Sequence, residues 1–484
     1  MYTPLDGVRN GNDREHMREH MGSEYRLIAS FVSLMMTAGC ESIPNVEDML
    51  NNTAPSRRPT VVDAEGQLSP GATKKVLAGL EREVGPADIL RKHLAESEAI
   101  TGSPLVVGNT VRLFSDGPST YSAMFQAIER AKNHINLETY IFEDDTLGRR
   151  LAELLIKKEK EGVQVNIIYD SFGSLETSDA FFERLRDGGL KVVEFNPVNP
   201  LDVKLKRRWM VNQRDHRKIL VVDGTIAFTG GVNISRVYSR SPFRSSRPKS
   251  PEVSKQVWRD THVQIEGPVV AEFQRIFLKT WAQQKGPPLP EQEYFPALKA
   301  TGKLIVRAIN SSPADDMATI YKVFMSAISN AEQSIHLTVA YFAPDGQMLK
   351  ALTDAAARGV DVTLLLPSVT DSGLVVRAGH SHYEKLLQAG VKIYELQGAL
   401  LHSKTAVIDG VWSTVGSANL DWRSFLHNEE VNAVILGDEF GEKMEALFQK
   451  DVAASRRITL EEWETRPFIH RVKETMGRIM EYWL

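Results

Sequence analysis

The chain has 484 residues, 42% hydrophobic and 25% charged, which suggests roughly two to four domains and an ability to bury a sizeable core. The net charge of −4 and the pI near 6.3 give no general signal for nucleic-acid binding, so any anionic partner must be met by a local basic patch. The single cysteine, Cys40, excludes a disulfide within the chain.

Residues 1–40 are expected to be a signal segment. Arg26 precedes an apolar run of about thirteen residues, which ends in Thr-Ala-Gly before Cys40. A transmembrane helix needs about 20 apolar residues, so this shorter run fits the apolar region of a signal peptide better. The segment resembles a bacterial lipoprotein signal, in which Cys40 becomes lipidated. An apolar helix beside the membrane or a buried helix are the alternatives.

Residues 41–104 are predicted to be a linker followed by a short helical segment. Asn, Pro, Ser and Asp are frequent up to about residue 70, a composition typical of a loose linker. The stretches GATKKVLAGLEREVG and PADILRKHLAESEAI then have a helical period, with a Gly-Pro break between them.

The rest of the chain repeats one order of helices and strands. AMFQAIERAKNHINLETYIFEDD, from Ala123, parallels VFMSAISNAEQSIHLTVAYFAPD, from Val323, and two more helix-to-strand units follow in both copies. Strands that alternate with helices predict sheets covered by helices. We therefore expect two similar α/β domains, at about 105–290 and 300–460, each a mixed β-sheet flanked by helices.

A shared phrase closes each copy: HRKILVVDGTIAFTGGVN from His216 and HSKTAVIDGVWSTVGSAN from His402. Asp-Gly between apolar runs predicts a β-hairpin, with Asp223-Gly224 as a two-residue turn in the first copy. Pairing outward from that turn sets Lys218 opposite Thr229. The same count, applied to both phrases, sets each histidine near the second small residue of its own copy.

Histidine and lysine are two residues apart on a strand, so their side chains share one face. Such a set suits a phosphodiester: Lys and Asn bind nonbridging oxygens, imidazole reaches phosphorus, and small residues let the ligand approach the backbone. A lone His-x-Lys is more often part of a surface strand, but two matched copies favour a site. The candidate residues are His216, Lys218, Gly230, Gly231 and Asn233, and His402, Lys404, Gly416, Ser417 and Asn419.

Acidic residues near the two phrases have different predicted roles. Asp223 and Asp409 lie roughly 15 Å along the strand from the lysines, so we expect them to stabilise the turn or its neighbours. Further along, WRDTHVQIEG and LHNEEVNAVILG align Asp260 with Asn428 and His262 with Glu430. We expect Glu430 to hold the ring of His216 across the interface, and Asp260 or His262 to serve His402.

The first copy also contains two basic insertions, VKLKRRWMVNQR before His216 and SRSPFRSSRPKSPEVSKQ after Tyr238. The second has the composition of a loop. A solvated loop and a cationic rim beside the site are both consistent with these charges.

The two phrases resemble the signature of the phospholipase D superfamily, His-x-Lys-x4-Asp followed six residues later by Gly-Gly/Ser-x-Asn, over residues 105–450. The resemblance places Asp223 and Asp409 in the catalytic set with the histidines and lysines. INLETYIFEDD, GVQVNIIYDSFGS, RDHRKILVVDG, WRDTHVQIEGP and ANLDWRSFLHNEE are similar to bacterial cardiolipin synthases. The lipoprotein-like leader departs from that family, whose members often have two N-terminal membrane helices or none.

The resemblance implies two domains packed face to face, with the active site at their interface and no metal or other cofactor. His216 would attack phosphorus, and His402 would protonate the leaving alcohol and deprotonate the incoming one. Donor and acceptor would both be phosphatidylglycerol. A hydrolytic phospholipase D is the main alternative, ahead of a nuclease of the superfamily and of a membrane-tethered binding protein with an inactive site. No nucleic-acid partner is expected.

The last segment, residues 461–484, predicts an amphipathic helix. Tyr482 and Trp483 suit a membrane interface, while packing on the preceding domain is the alternative. Together with a lipid substrate, this segment predicts a membrane-associated bacterial protein, with Cys40 as candidate lipid anchor on the periplasmic or outer face. The apolar stripe of the helix comprises Phe468, Ile469, Val472, Met476, Ile479 and Met480.

Overall fold

The computed structural model describes residues 43–46, 59–84, 88–197, 212–240, 257–314, 318–370 and 372–480. The predicted signal segment with Cys40 lies outside these residues, as do most of both basic insertions and the terminal Tyr482 and Trp483. Within the described ranges, no helix combines the length and the apolar composition needed to cross a bilayer.

The segment before the first repeat contains a small hairpin and three helical stretches. Its elements are β1 (Val61–Asp63), β2 (Gly66–Gln67), α1 (Pro70–Val84), a π-helical turn (Ile89–His93) and α2 (Leu94–Thr101). The predicted helical segment is therefore present in the part of the chain that the structure describes.

The first repeat alternates strands and helices as predicted. Its elements are β3 (Leu105–Phe114), α3 (Gly117–Arg130), β4 (His134–Thr139), α4 (Thr146–Lys160), β5 (Gln164–Asp170), α5 (Asp179–Asp187), β6 (Lys191–Phe195), β7 (Arg214–Asp215), β8 (Lys218–Val222), β9 (Ile226–Gly230), a 3-10 turn (Arg236–Tyr238), β10 (Trp258–Arg259), β11 (His262–Glu266) and α6 (Val270–Gln283).

The second repeat follows the same plan and ends in extra elements. These are β12 (Leu304–Ser311), α7 (Thr319–Ser329), β13 (Ser334–Val339), β14 (Phe342–Ala343), α8 (Gly346–Ala357), β15 (Asp361–Pro367), α9 (Gly373–Gln388), β16 (Lys392–Leu396), β17 (Leu400–Leu401), β18 (Lys404–Ile408), β19 (Trp412–Gly416), β20 (Leu420–Asp421), α10 (Trp422–Leu426), β21 (Asn428–Leu436), α11 (Asp438–Ala453), β22 (Ser455–Ile458), α12 (Leu460–Glu464) and α13 (Phe468–Met480).

Both repeats arrange their main strands in the same order. The first sheet runs β6-β5-β4-β8-β9-β11-β3, and the second runs β22-β16-β15-β13-β18-β19-β21-β12. The strands β4, β5 and β6 are parallel, whereas β8 runs antiparallel to β4. An antiparallel contact between β3 and β12 joins the two sheets. The predicted mixed α/β architecture is confirmed.

One apolar layer lies between the two sheets. Val221 and Val263 of the first repeat pack in a single buried cluster with Val407 and Val431 of the second. All four are at most 2% exposed. Burial of this much aliphatic surface holds the sheets face to face, as predicted. The limits at 105–290 and 300–460 stay a prediction.

The repeated phrases form hairpins, but the predicted strand register is wrong by one residue, since Ile219 and not Lys218 lies opposite Thr229. Val222 pairs with Ile226, so Asp223, Gly224 and Thr225 together form the loop. Asp223 and Gly224 both have positive φ, 51° and 63°. The backbone N–H of Thr225 donates to the Val222 carbonyl at 3.0 Å, so Asp223 and Gly224 are the central pair of the turn, as predicted, and Thr225 is the extra residue that shifts the register. The second hairpin has the same loop length.

The turn aspartates attach each hairpin to the segment before its central strand. The backbone N–H donors are Lys132, Asn133 and His134 for Asp223, and Glu332, Gln333 and Ser334 for Asp409, at 2.7–3.3 Å. Both carboxylates lie at the ends of β8 and β18 that are far from the lysines. The structure therefore does not bring Asp223 and Asp409 to the histidine–lysine pairs.

The C-terminal helix α13 packs antiparallel along α9. Arg466, just before α13, lies 3.9 Å from Glu384 late in α9. Near the other end, a Cβ added at Gly477 would lie 2.7 Å from the backbone nitrogen of Ala378. Packing on the domain is thus present, although Ile479 in the last turn of α13 remains 72% exposed.

Replacing Asp409 with alanine should lower the free energy of unfolding by about 1–3 kcal/mol, because three backbone N–H groups lose their acceptor. Chemical denaturation of the purified protein measures the change. Asp187→Ala, at an exposed position, is the matched control and should stay within about 0.5 kcal/mol of the parent. Equal stabilities of the two variants would contradict the anchoring role.

Candidate active site

Two short parallel strand pairs bring each histidine against the opposite repeat. The strand β7 runs beside the start of β21, and β17 runs beside β10. As a result, the backbone N–H of His216 donates to the Glu429 carbonyl at 3.0 Å. The backbone N–H of His402 donates to the Arg259 carbonyl at 2.8 Å. Each histidine backbone is therefore fixed by the other repeat.

The histidine rings are held by carboxylates of the opposite repeat in the same way. His216 Nδ1 lies 3.1 Å from both carboxylate oxygens of Glu430, and His402 Nδ1 lies 2.7 Å from Asp260 Oδ2. An ionised carboxylate only accepts hydrogen bonds, so each Nδ1 carries the proton. The Nε2 atom of a neutral ring then keeps its lone pair for chemistry.

The strand register shows that Asp260 and Glu430 are equivalent residues. The backbone N–H of Gly231 donates to the Thr261 carbonyl, and that of Ser417 donates to the Val431 carbonyl. The sequence alignment of Asp260 with Asn428 was therefore wrong by two residues, because the connections after the two phrases differ in length. Gly267 and Gly437, seven residues after the two acids, were the available signal.

Neither ring nitrogen of His262 has a hydrogen-bond partner among the described residues, so of the two predicted partners it is Asp260 that binds the His402 ring. His262 is fully buried in β11, opposite Gly230 of β9. Burial lowers its pKa to about 3, which keeps the ring neutral. A Cβ on Gly230 would lie 2.6 Å from the His262 ring, so this glycine leaves room for His262.

Each lysine folds back towards its own histidine. Lys218 Nζ donates to the His216 carbonyl at 2.6 Å, and Lys404 Nζ donates to the His402 carbonyl. Burial, and then the charge of Lys404, lower the pKa of Lys218 to about 7, although Glu430 opposes this shift. An anion bound here would favour the charged lysine, because opposite charges stabilise each other in a desolvated site.

The electrostatics of His216 and Glu430 favour a neutral ring beside an ionised acid. Burial lowers the pKa of His216 to about 4, Glu430 acts to raise it, and Lys218 and Lys404 lower it further. Burial alone would raise the pKa of Glu430, but His216, Lys218 and Ser417 bring it to about 2. Because Lys404 acts on His216, both histidine–lysine pairs belong to one electrostatic cluster.

The small residues of the phrases make room for the carboxylates. A Cβ on Gly231 would lie 2.1 Å from Asp260 Oδ1, whereas Ser417 Oγ donates to Glu430 Oε2 at the equivalent position. The prediction that these residues open the backbone to a ligand therefore receives a different physical explanation. The Asp260 carboxylate occupies the space that a side chain at position 231 would need.

The two motif asparagines are placed differently. Asn233 Oδ1 accepts from the Ile141 backbone N–H at 3.2 Å, and Asn233 Nδ2 donates to the Tyr238 hydroxyl at 3.1 Å. Asn419 Oδ1 is buried and has no hydrogen-bond partner among the described residues. Asn233 thus orders the first repeat, and direct contact of either amide with phosphate stays a prediction.

Aromatic side chains surround both histidines, and they were not predicted from the sequence as part of the site. Tyr140 packs edge-on against His216 with ring centres 5.0 Å apart, and Lys218 Nζ lies 5.2 Å from the Tyr140 ring centre. Around His402 the ring centres of Trp258, Tyr238 and Tyr341 lie at 5.2, 5.8 and 6.3 Å. A tyrosine just after each central strand, in both copies, was the available sequence signal.

Two buried ion pairs join the repeats beside the site. Arg217, between His216 and Lys218 in sequence, binds Glu429 of the second repeat. Arg259, next to Asp260, binds Asp451 with Nη2 and Oδ2 2.6 Å apart. These arginines point away from the histidine face, since neighbouring strand residues alternate sides.

Comparisons with known proteins identify the family to which both repeats are similar. Residues 124–241 and 324–452 match the family described as "Cardiolipin synthase, PLD-like domain". The chain is 36% identical over 381 residues to a cardiolipin synthase of Alkalihalophilus pseudofirmus, covering 78% of this chain and 73% of that protein. It is 34% identical over 378 residues to the major cardiolipin synthase ClsA of Bacillus subtilis, covering 77% and 75%.

A solved structure shares the fold. The phosphatidylserine synthase of Haemophilus influenzae Rd KW20 superposes with a TM-score of 0.58 at 13% identity, covering 80% of this chain and 98% of that one. Such low identity supports the architecture alone. The family match and the relatives together show that this chain belongs to the cardiolipin synthase family of the phospholipase D superfamily.

Proposed function

We propose that the protein transfers a phosphatidyl group between two phosphatidylglycerol molecules, which yields cardiolipin and glycerol. The observation that carries this proposal is the reciprocal geometry of the site. Each of two histidine–lysine pairs has its ring oriented by a carboxylate from the other repeat. The relatives named cardiolipin synthase supply the reaction class.

In the first step, His216 Nε2 attacks phosphorus of the donor lipid. The bond between phosphorus and the glycerol oxygen breaks, and protonated His402 gives its Nε2 proton to that oxygen as glycerol leaves. The product is a phosphatidyl group bound to His216. Glu430 stabilises the positive charge that develops on the His216 ring, as a buried carboxylate does for an imidazolium.

In the second step, the hydroxyl of another phosphatidylglycerol gives its proton to His402 and attacks phosphorus. The phosphorus–nitrogen bond breaks and His216 returns as a neutral ring. Lys218 and Lys404 offset negative charge on the nonbridging oxygens in both steps. If water entered in place of the second lipid, phosphatidic acid would form instead.

Replacing either His216 or His402 with glutamine should reduce turnover of labelled phosphatidylglycerol by at least about 10³-fold, since each variant loses a group that forms or breaks a bond. Thin-layer separation of the products measures the loss and identifies cardiolipin or phosphatidic acid. Normal turnover by either variant would end this mechanism.

The same variants test the division of labour. After rapid acid-free denaturation during turnover, a labelled lipid adduct should be detectable on the parent protein and absent from the His216→Gln protein. Detection of an adduct on the His216→Gln protein would contradict the assigned roles. Phosphatidic acid as the sole product of the parent protein would replace transfer by hydrolysis.

The pH dependence of kcat/KM should reflect the lowered pKa values of His216 and Lys218. His216 is neutral above its pKa of about 4, so the rate should not fall as the pH drops through 6.5 and should decline only near pH 4. Loss of charge on Lys218, with a pKa of about 7, should lower the rate on the alkaline side. A water-soluble short-chain phosphatidylglycerol allows both limbs to be measured.

Glu430→Gln should shift both limbs to lower pH, because Glu430 raises the pKa of both His216 and Lys218. The maximum rate should also fall roughly 10²-fold, through weaker orientation of the ring. Glu183→Gln, at an exposed position, is the matched control and should change neither limb. Unshifted limbs in Glu430→Gln would contradict the assigned electrostatics.

For localisation, we propose that the protein is anchored to the membrane by a lipid on Cys40. The apolar run and the small residues before Cys40 support this proposal. Expression with labelled palmitate in a bacterium should label the parent protein and not the Cys40→Ala variant. Equal labelling of both proteins, or labelling of neither, would exclude this anchor.

A further inference from the structure

Four large apolar side chains lie exposed near the edge that contains the histidines. Phe172 is 46% exposed, Leu175 59%, Leu374 43% and Ile479 72%. Single exposed apolar residues are normal, but a group beside a functional site marks an interaction surface. We refer to these four residues as the apolar rim.

In the first repeat, the rim is attached directly to the surroundings of His216. The loop after β5 contains Phe172 and Leu175. Between them, Ser174 Oγ donates to the Tyr140 carbonyl at 3.3 Å, and a Cβ added at Gly173 would lie 2.2 Å from that oxygen. The Tyr140 ring packs on His216, so the loop that contains Phe172 and Leu175 contacts a residue that contacts His216.

In the second repeat, the rim has a corresponding attachment to His402. Leu374 begins α9 and precedes Val375, which is buried with Ala378 in a cluster that also contacts Tyr341. The Tyr341 ring centre lies 6.3 Å from that of His402. Ile479 lies in the last turn of α13, two residues after Gly477, and Gly477 packs against Ala378, which is four residues after Leu374 in α9.

The topology puts both parts of the rim at the same edge as the site. Lys218 pairs with Thr139 at the carboxyl end of β4, and Lys404 pairs with Val339 at the carboxyl end of β13. The loop with Phe172 and Leu175 follows β5, and Leu374 follows β15, and these two strands are the parallel neighbours of β4 and β13. Carboxyl ends of parallel strands share one edge, so the rim flanks the histidines from both repeats.

The charge on the helical part of the rim suits an anionic surface. Arg377 in α9 and Arg478 in α13 are both exposed, and each is next in sequence to a residue of the contact between the two helices, Ala378 and Gly477. Glu474, the acidic residue on the described part of α13, is 6% exposed and bound to Arg466 at 2.7 Å. Apolar side chains beside exposed arginines are the combination that binds a bilayer with anionic head groups.

We propose that the apolar rim docks on an anionic phospholipid bilayer and sets the histidine edge against the lipid surface. This inference rests on the proposed function, because a two-chain lipid substrate resides in such a bilayer. The four side chains enter the boundary between head groups and acyl chains. The arginines stay at head-group depth, and the scissile phosphate reaches the edge of the sheets from the membrane.

The test compares vesicle binding with turnover of a soluble substrate. Phe172→Ser/Leu175→Ser and Leu374→Ser/Ile479→Ser are made in the full chain carrying Cys40→Ala, so that no acyl chain contributes to binding. Each double variant should bind phosphatidylglycerol vesicles at least about tenfold more weakly in sedimentation. With dihexanoyl-phosphatidylglycerol below its micelle concentration, kcat/KM should stay within about twofold of the parent.

Phe295→Ser is the matched control. Phe295 is 46% exposed, like Phe172, but its neighbour Pro296 lies at the Gly224 turn, at the opposite end of β8 from Lys218. This variant should bind vesicles like the parent. Equal vesicle binding by all the proteins would overturn the inference.

The design separates this inference from the proposed reaction. If the parent binds vesicles and the rim variants do not, docking is supported even where no protein turns over phosphatidylglycerol. If all proteins turn over the soluble lipid and bind vesicles equally, the reaction stands and the docking surface is wrong. Loss of soluble turnover in the rim variants, with unchanged thermal unfolding, would assign these residues to the site and contradict a docking role.

Discussion

Each histidine is held by the repeat that does not contain it, and the whole site depends on this exchange. The backbone and ring of His216 bind the pair Glu429 and Glu430, while His402 binds Asp260 and the preceding residue. A single repeat would leave its imidazole without an oriented proton on Nδ1. Duplication of the fold therefore creates a composite site that neither half can form alone.

Buried charge supports this exchange. Arg217 and Arg259 each lie beside a site residue in sequence and bind an acid of the opposite repeat. Removing two charges from water is unfavourable unless the partners meet with good geometry. Any shift of one repeat along the other would separate these pairs in the apolar interior. The ion pairs thus destabilise any packing of the two repeats in which the histidines are separated from their carboxylates.

The two halves share a plan but surround their histidines differently. Among the described residues, His216 packs on the Tyr140 ring, whereas His402 has Trp258, Tyr238 and Tyr341 around it. Glu430, which holds the His216 ring, also accepts a hydrogen bond from Ser417. Asp260, which holds the His402 ring, has a shorter side chain and lies beside Gly231. Such asymmetry is consistent with one histidine as nucleophile and the other as acid and base.

The sequence alone determined the duplicated α/β plan and the shared face of His216 and Lys218, because these follow from local spacing on a strand. It also indicated that the turn aspartates lie far from the lysines. The predicted strand register of the hairpins was wrong by one residue, and the predicted alignment of Asp260 was wrong by two. Residue spacing does not indicate the geometry of a loop or a difference in length between two connections. Only the tertiary structure decided which acid meets which ring, because those contacts join strands more than a hundred residues apart through sheet register and burial between the repeats.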